Sequence, residues 1–351
     1  MTSSPPPYST AHVDNCALGA WYHQLKHVAI KSVIVDLPPE FVSVLLADGV
    51  TLPQAPVSSD VNEPEEDAVD DSVTSLSATQ RRAIATVRAR VEHVLDELGG
   101  KAFVKTKWSA PRDAAWMLGT LKCTSFDDVF LLLQASDFIV HDLTEPYAGC
   151  TLDSSNSDHE TTRTRSGSYL VLKKWCNLLD SMLFRCFVVG HRLVAVSQRN
   201  CNEFFAFLVE QQEAFCDLLH AFYATNFRTR GGETFVFPDP DYSFDVYIDK
   251  RRRVYLLDIN VFGSVTDTLL FSWEDLMEFQ TEAPARPQDV EDEQHTIDFR
   301  VVESEQGIRT NPLSEYRAPT DLVQHLAGGA GFDAFIEQVK RDNATHGNND
   351  Q

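Results

Sequence analysis

Basic side chains are scarce in this sequence, with 30 Lys+Arg against 52 Asp+Glu and a formal charge of −22 over 351 residues. Nucleic-acid binding needs clustered cations, because affinity comes from neutralising phosphates and releasing their counterions. A chain this acidic repels polyanions and anionic membranes at long range, so neither direct nucleic-acid contact nor membrane binding is expected. Long hydrophobic runs are missing as well: none approaches the ~18 residues of a membrane span. Residues 1–12 are Ser/Pro-rich, without the basic start and apolar stretch of a secretory leader. A cytoplasmic protein is therefore expected. Cysteine pairs at metal-binding spacing are absent too. The seven cysteines (Cys16, Cys123, Cys150, Cys176, Cys186, Cys201, Cys216) are odd in number and scattered. They fit neither a disulfide framework nor a zinc site, and read as reduced thiols that mostly fill the core.

The usual nucleotide and hydrolase motifs are lacking. There is no G-x-x-x-x-G-K-[ST], no G-x-S-x-G elbow and no kinase-type H-R-D with D-F-G. Gly329-x-Gly331-x-x-Ala334 has neither a strand before it nor enough chain after it for a βαβ unit. His23 and His27 form one helical pair without a third ligand, Asn343 is a sequon without meaning in an unsecreted protein, and no internal repeat is apparent.

Hydrophobic residues make up 43% of the chain, enough for a substantial core in roughly two domains or one multi-lobed unit. The acidity is uneven. Residues 60–71 hold seven acidic residues and no basic one, and residues 278–305 hold nine against Arg286 and Arg300. Fourteen of the 22 excess negative charges sit in these two stretches, leaving −8 for the rest. Such runs repel themselves and offer little to bury, so disordered segments are expected there. They are also candidate contacts for a basic partner surface.

Periodicity predicts a short strand at 33–35 and a short helix at 39–47. An amphipathic helix follows over 78–98, with Ile84, Val87, Val91, Val94 and Leu98 on one face and Gly99-Gly100 as its stop. A strand is predicted at 102–105, then a helix opening with Ser109 as N-cap and Pro111 in its first turn. Further on come a helix at 127–134, an extended piece at 138–140 and a polar loop at 149–167. Strands at 169–172 and 184–189 precede a hairpin turn at Gly190-His191 into 193–198. One long helix is predicted over 204–227, with its aromatic residues in the core. The clearest hairpin pairs 243–248 with 254–262 around a charged turn, and a helix begins near Trp273. Intermixed strands and helices with several hairpins define an α+β class rather than a doubly wound parallel sheet.

In that hairpin, pairing Ile248 with Tyr255 places Asp245 opposite Asp258, since both index sums equal 503. Asn260 shares the face of Asp258 because strand side chains alternate. Two carboxylates and an amide oxygen on one side suit Mg²⁺, which takes few protein ligands and completes its shell with water and phosphates. The alternative is that one Asp points outward and the others serve turns. Lys105, Lys107 and the unpaired N–H groups of a helix starting at Ser109 and Ala110 would suit an anion. Lys173 and Lys174 end a buried strand just before Trp175 and Cys176, and Arg185 and Arg199 lie on or at the end of the next two strands. Charges on core strands want a partner, either an anionic ligand or one of the abundant carboxylates.

The segments Phe103-Val-Lys-Thr-Lys-Trp-Ser-Ala-Pro-Arg-Asp-Ala114, Ser136-Asp-Phe-Ile-Val-His-Asp142, Val171-Leu-Lys-Lys-Trp-Cys176, Phe184-Arg-Cys-Phe187, Ser197-Gln-Arg199, Phe244-Asp-Val-Tyr247, Leu257-Asp-Ile-Asn260 and Thr266-Asp-Thr-Leu-Leu-Phe-Ser-Trp-Glu274 resemble the cell division cycle protein 123 family. The likeness runs from about Ala20-Trp-Tyr to Leu276, with a weaker echo at Tyr316-Arg-Ala-Pro. It implies an ATP-grasp fold in which two lobes with antiparallel sheets enclose Mg·ATP, spanning 79–172 and 173–276. An N-terminal segment (1–55) would pack on them, an acidic linker would occupy 56–78, and 277–351 would be acidic and partly disordered. The implied role is assembly of eukaryotic translation initiation factor 2 through its gamma subunit, by a protein that is monomeric apart from its partner, binds ATP and Mg²⁺, and carries no assigned catalytic residue. The alternative is an ATP-grasp ligase that activates a carboxylate as an acyl phosphate.

By the same resemblance, Lys105 and Arg199 contact phosphates, Arg185 is a weaker member of that set, residues 173–176 form the hinge that holds adenine, and Asp245, Asp258 and Asn260 hold magnesium. The sequence departs from the family at Lys107, where Asn is expected, and at Lys173, where Arg is usual. Asn200 and Val261 are two further departures, and none of the four removes a magnesium ligand.

Overall fold

The computed structural model describes residues 4–47, 76–151, 167–228, 234–281 and 297–309. The acidic stretch 60–71, most of the second acidic run, the loop beyond Thr151, Tyr316, Gly329 to Ala334 and Asn343 lie outside the described residues.

The chain opens with helices α1 (Thr10–Cys16) and α2 (Leu18–Leu25), strand β1 (Ser32–Asp36) and helix α3 (Pro39–Leu45). Helix α4 (Ala78–Leu98) follows, then β2 (Ala102–Lys105), β3 (Lys122–Cys123), α5 (Phe126–Gln134), α6 (Asp137–Thr144) and β4 (Tyr169–Lys174). Next come β5 (Leu183–Val189), β6 (Arg192–Gln198), α7 (Ala206–Glu210), α8 (Gln212–Asn226), β7 (Tyr242–Ile248), β8 (Val254–Val261), α9 (Trp273–Thr281) and β9 (Asp298–Arg300). Local chemistry explains several boundaries. Ser77 and Gln80 form a reciprocal capping box at the start of α4, and Gly99, at φ 91°, closes it in the left-handed region that glycine enters without strain. Ser125 and Asp128 cap α5 in the same way.

The strands form two sheets, one four-stranded in the order β1-β4-β2-β3 and one five-stranded in the order β8-β7-β5-β6-β9. Among the described strands all pairings are antiparallel except β6 with β9, which is parallel. The second sheet is thus mixed, a correction to the antiparallel expectation. One core fills the space between the first sheet and α3, α4 and α5, around Phe41, Val91, Phe126 and Leu172. The other lies on the second sheet under α8, around Phe184, Phe215, Leu219 and Phe244. Strand β4 is buried on both faces: Leu170 and Leu172 belong to the first core, whereas Val171 belongs to the second. That second face of the first sheet carries Lys105, whose Cα partner is Val171, and Lys173. The N-terminal helices serve the second core through Leu18, Trp21 and Leu25, while β1 completes the first sheet, so this opening segment ties the two together.

Four local expectations require correction. No helix starts at Ser109. The Ser109 carbonyl accepts from Thr106 N–H at 2.9 Å in a tight turn, and only a single 3₁₀ turn, Ala115–Met117, follows. Residues 138–140 are helical within α6, because Ser136 caps that helix and Asp113 reaches across to accept from Ser136 Oγ at 2.6 Å and Phe138 N–H at 3.3 Å. The long helix over 204–227 breaks at Gln211, whose φ of −114° separates α7 from α8.

The fourth concerns the β7–β8 hairpin. It pairs Ile248 with Val254 rather than Tyr255, and a bulge at Leu257 then shifts the register so that Asp245 does face Asp258. The carboxylate pair forms as expected, but through an irregularity that index arithmetic does not contain.

Candidate functional site

The inner face of the first sheet meets β7 and β8 of the second, and the charged side chains converge there. Lys105, 1% exposed, makes an ion pair with Asp258. Lys173 donates to the carbonyl of Leu257, the residue that the bulge displaces from the ladder. Asp245, 4% exposed, takes a bidentate grip from Arg185 (Nε to Oδ1 2.8 Å, Nη2 to Oδ2 2.9 Å) and a further bond from Arg199 Nε at 3.0 Å. Arg185 also donates Nη1 to the main-chain carbonyl of Asp267 at 2.7 Å.

The electrostatics describe a crowded cationic pocket. Burial pushes the Lys173 ammonium down to about 8, with Asp258 opposing and Lys105 reinforcing the shift. Arg112 is held down to about 9, first by repulsion from Arg199 and then by enclosure, although its side chain reaches solvent. Burial would raise the Asp245 carboxyl, but Arg185, Arg199 and the Arg185 hydrogen bonds outweigh it and hold the group well below the usual carboxylate range. Lys105, Lys173, Arg185 and Arg199 stand against Asp245 and Asp258, with the exposed Arg112 and Asp267 at the margin, a surplus of positive charge inside a protein of net −22. Unmatched charge away from bulk water is costly unless an anion completes it.

Not every residue singled out in the sequence joins this cluster. Lys107 turns away: its Nζ lies 5.5 Å from the Trp108 ring and 5.4 Å from the Tyr169 ring, in a cavity it shares with Asp14 and Tyr147. Burial lowers its pKa, opposed by Asp14 and Asp142. Ser109 donates Oγ to Asp142 Oδ1 at 2.8 Å and N–H to Oδ2 at 2.7 Å, which takes up the very amide that the anion-binding expectation relied on. Ala110 accepts from Arg112 N–H at 2.7 Å. Lys174 and Cys176 are exposed and Trp175 half-buried, at the point where the chain passes from β4 to β5. Arg112 joins the cluster without being marked by periodicity, because it lies in the irregular chain where a helix was expected. Its one sequence signal was membership of the segment 103–114.

Asn260 lies in register with Ser243, on the face that carries Asp245 and Asp258. Its Nδ2 and the Ser243 Oγ are both buried without a hydrogen-bond partner among the described residues. Two carboxylates and one amide make a hard-oxygen donor set. Among the described residues no three His, Cys, Asp or Glu side chains converge as a self-sufficient metal cage. The set therefore fits a cation that keeps most of its shell for water and a phosphate ligand, as Mg²⁺ does.

Fold and site together define a class, an α+β protein that encloses a buried cationic cleft and a carboxylate pair between two sheets. The family model described as D123 matches residues 21–326, and the chain belongs to that family. It is 36% identical over 339 residues to a Xenopus laevis protein named translation initiation factor eIF2 assembly protein, covering 93% of this chain and 94% of that one. A Danio rerio protein of the same name is 33% identical, with 90% of each chain covered. An Aspergillus terreus protein named cell division cycle protein 123 is 34% identical over 78% of this chain and 65% of that one. Among solved structures, C-terminally truncated Cdc123 from Schizosaccharomyces pombe superposes with a TM-score of 0.65 at 28% identity, covering 84% of this chain and 98% of that one. The motif resemblance read from the sequence is thereby established. No helix of the described residues is long and apolar enough to cross a membrane.

Proposed function

We propose that the protein binds Mg·ATP between its two sheets in the manner of an ATP-grasp fold, and that it promotes assembly of eukaryotic translation initiation factor 2 by holding the gamma subunit. The observation that carries the nucleotide half is the surplus of cations on β2, β4, β5 and just past β6 (Lys105, Lys173, Arg185, Arg199) facing the carboxylate pair of β7 and β8. Lys105, Arg112, Arg185 and Arg199 would receive the phosphates. Asp245, Asp258 and Asn260 would hold the metal, and residues 174–176, where the chain crosses between sheets, would take the base. Mg²⁺, when bound, would offset the negative charge of the phosphates. Lys105 and Arg199, now paired with Asp258 and Asp245, would exchange a carboxylate partner for a phosphate, which releases those carboxylates toward the metal. The partner half is supported by the names of the relatives, which span vertebrates and fungi.

Immobilised protein is expected to retain purified gamma subunit, more strongly with Mg·ATP than with EDTA, and not the free alpha or beta subunit. Absence of gamma retention, or equal retention of all three, would remove the assembly reading. Acceptor-dependent release of ADP in the same samples would instead favour a ligase that makes an acyl phosphate.

A further inference from the structure

The turn that joins β7 to β8 carries four consecutive cations, Lys250, Arg251, Arg252 and Arg253, all exposed, in a chain whose acidic residues outnumber its basic ones by 22. Like charges this close repel one another, and Asp249 holds the turn together against them. Its Oδ1 accepts from Arg251 N–H at 2.8 Å and Arg253 N–H at 2.9 Å. Its carbonyl accepts from Arg252 N–H, and its N–H donates to the Arg253 carbonyl, each at 2.9 Å. Arg252 stands at φ 60°, a left-handed conformation that glycine enters without strain and arginine does not. Its guanidinium lies 4.8 Å from the Phe215 ring and donates to Gln211 Oε1 at 2.6 Å, which clamps the turn onto the start of α8. Arg253 pairs with Asp249 at 2.7 Å and keeps a side chain 60% exposed. Lys250 and Arg251 make no side-chain bond or ion pair among the described residues. Lys26, exposed in the turn after α2, lies at the same end of the sheet, because the Val28 carbonyl accepts from Leu256 N–H at 2.8 Å.

We propose that this turn is a docking point for a short acidic segment of a protein partner, whose carboxylates meet Lys250 and Arg251. The backbone is fixed in advance by Asp249 and Arg252, so docking orders only side chains and the incoming segment. Arginine forks take carboxylates through two parallel bonds, and exposed cations of this kind speed and orient association. Within the turn the one counter-charge, Asp249, is already engaged by Arg253 and by two backbone amides. A polyanion longer than the turn is disfavoured, whether nucleic acid or anionic bilayer. Screening confines each charge to roughly 8 Å, so a short segment meets the four cations, whereas a longer one runs on over a protein of net −22. Nor does the turn offer a free ring on which a base could stack: Phe215 is buried under Arg252, and Tyr255 is half-buried beside Arg253. The docking point rests on neither half of the proposed function.

Fluorescein-labelled hexaglutamate is the probe, titrated with the full chain and followed by anisotropy. Saturable binding is expected at about 50 mM salt, several-fold weaker at about 150 mM, and hexaglutamine should not bind. Lys250→Glu with Arg251→Glu should weaken hexaglutamate about tenfold, and Lys250→Gln with Arg251→Gln about threefold. Neither side chain is bonded, so both variants should melt as the native chain does. Arg82→Glu with Arg90→Glu, on the exposed face of α4, alters the net charge by the same amount as the first pair and should leave binding within about twofold. Equal losses from the two charge reversals would make net charge responsible and overturn the site, as would absence of binding at low salt or binding that neither turn variant moves. Tighter binding of hexathymidylate or of phosphatidylserine vesicles, lost with the same turn variants, would overturn a protein segment as the occupant.

Discussion

Asp258→Asn is expected to weaken Mg²⁺-dependent ATP binding by ~100-fold or more, since loss of even an outer-shell metal contact costs 10–100-fold. Asp258 is the carboxylate with capacity to spare: among the described residues Lys105 holds Oδ2, and Oδ1 accepts only from its neighbour Ile259 N–H at 3.2 Å. The substitution keeps the shape and an oxygen for Lys105, whereas Ala would strand an ammonium that is 1% exposed. Removing one partner of a buried pair costs roughly 3–5 kcal/mol, so Asp258→Ala should lower stability as well as binding; Asn keeps an acceptor for Lys105 but not its counter-charge, so a smaller loss of stability is expected there and is measured beside the binding. Calorimetric titration with Mg·ATP, alongside urea unfolding of each variant, checks this. Near-native affinity in Asp258→Asn would remove Asp258 from the ligand set.

Asp245→Asn should be the most damaging single change to the fold. Asp245 is the shared anion of Arg185 and Arg199, and Arg185 is itself 5% exposed. With an amide in its place two guanidinium groups lose their counter-charge in a site closed to water, a loss of roughly 3–5 kcal/mol. The pH dependence follows from the sign of the shift. The folded-state pKa of Asp245 is depressed, so its contribution is fully present above the unfolded-state value of ~3.9 and is lost as pH falls through the depressed folded value. Unfolding followed from pH 6 to pH 2 should show the native protein losing stability on the acid side and the Asn variant starting lower with a shallower acid slope. Parallel curves would mean that Asp245 is not the linked group.

Much of the fold was legible because it depends on neighbours in sequence. Helix α4 declares itself through the spacing of Ile84, Val87, Val91, Val94 and Leu98 and through Gly99, and β2 through its place directly after that stop. What resisted was decided at long range. Ser109 carries every local mark of a helix N-cap, yet Asp142, 33 residues away, takes both its N–H and its hydroxyl. Asp113 in turn caps α6 from 23 residues upstream and makes a helix of a segment that reads as extended. The carboxylate pair was legible in position but not in cause, because the bulge at Leu257 depends on how β8 meets β7. Of the cations, Lys105, Lys173, Arg185 and Arg199 stood out as charges on core strands, whereas Arg112 lies in irregular chain where no periodicity marks burial. Lys107 has the same charge and lies two residues from Lys105, but the strand ends between them and Trp108 and Tyr169 draw it to another cavity.

The central claim is that the cationic cleft and the carboxylate pair together form a magnesium-dependent ATP site, and titration of ATP into the full-length protein by calorimetry, once with Mg²⁺ and once with excess EDTA, tests it most directly. A single saturable site in Mg²⁺ that EDTA abolishes is the predicted result. Absence of binding under both conditions, or binding of equal strength in EDTA, would contradict it.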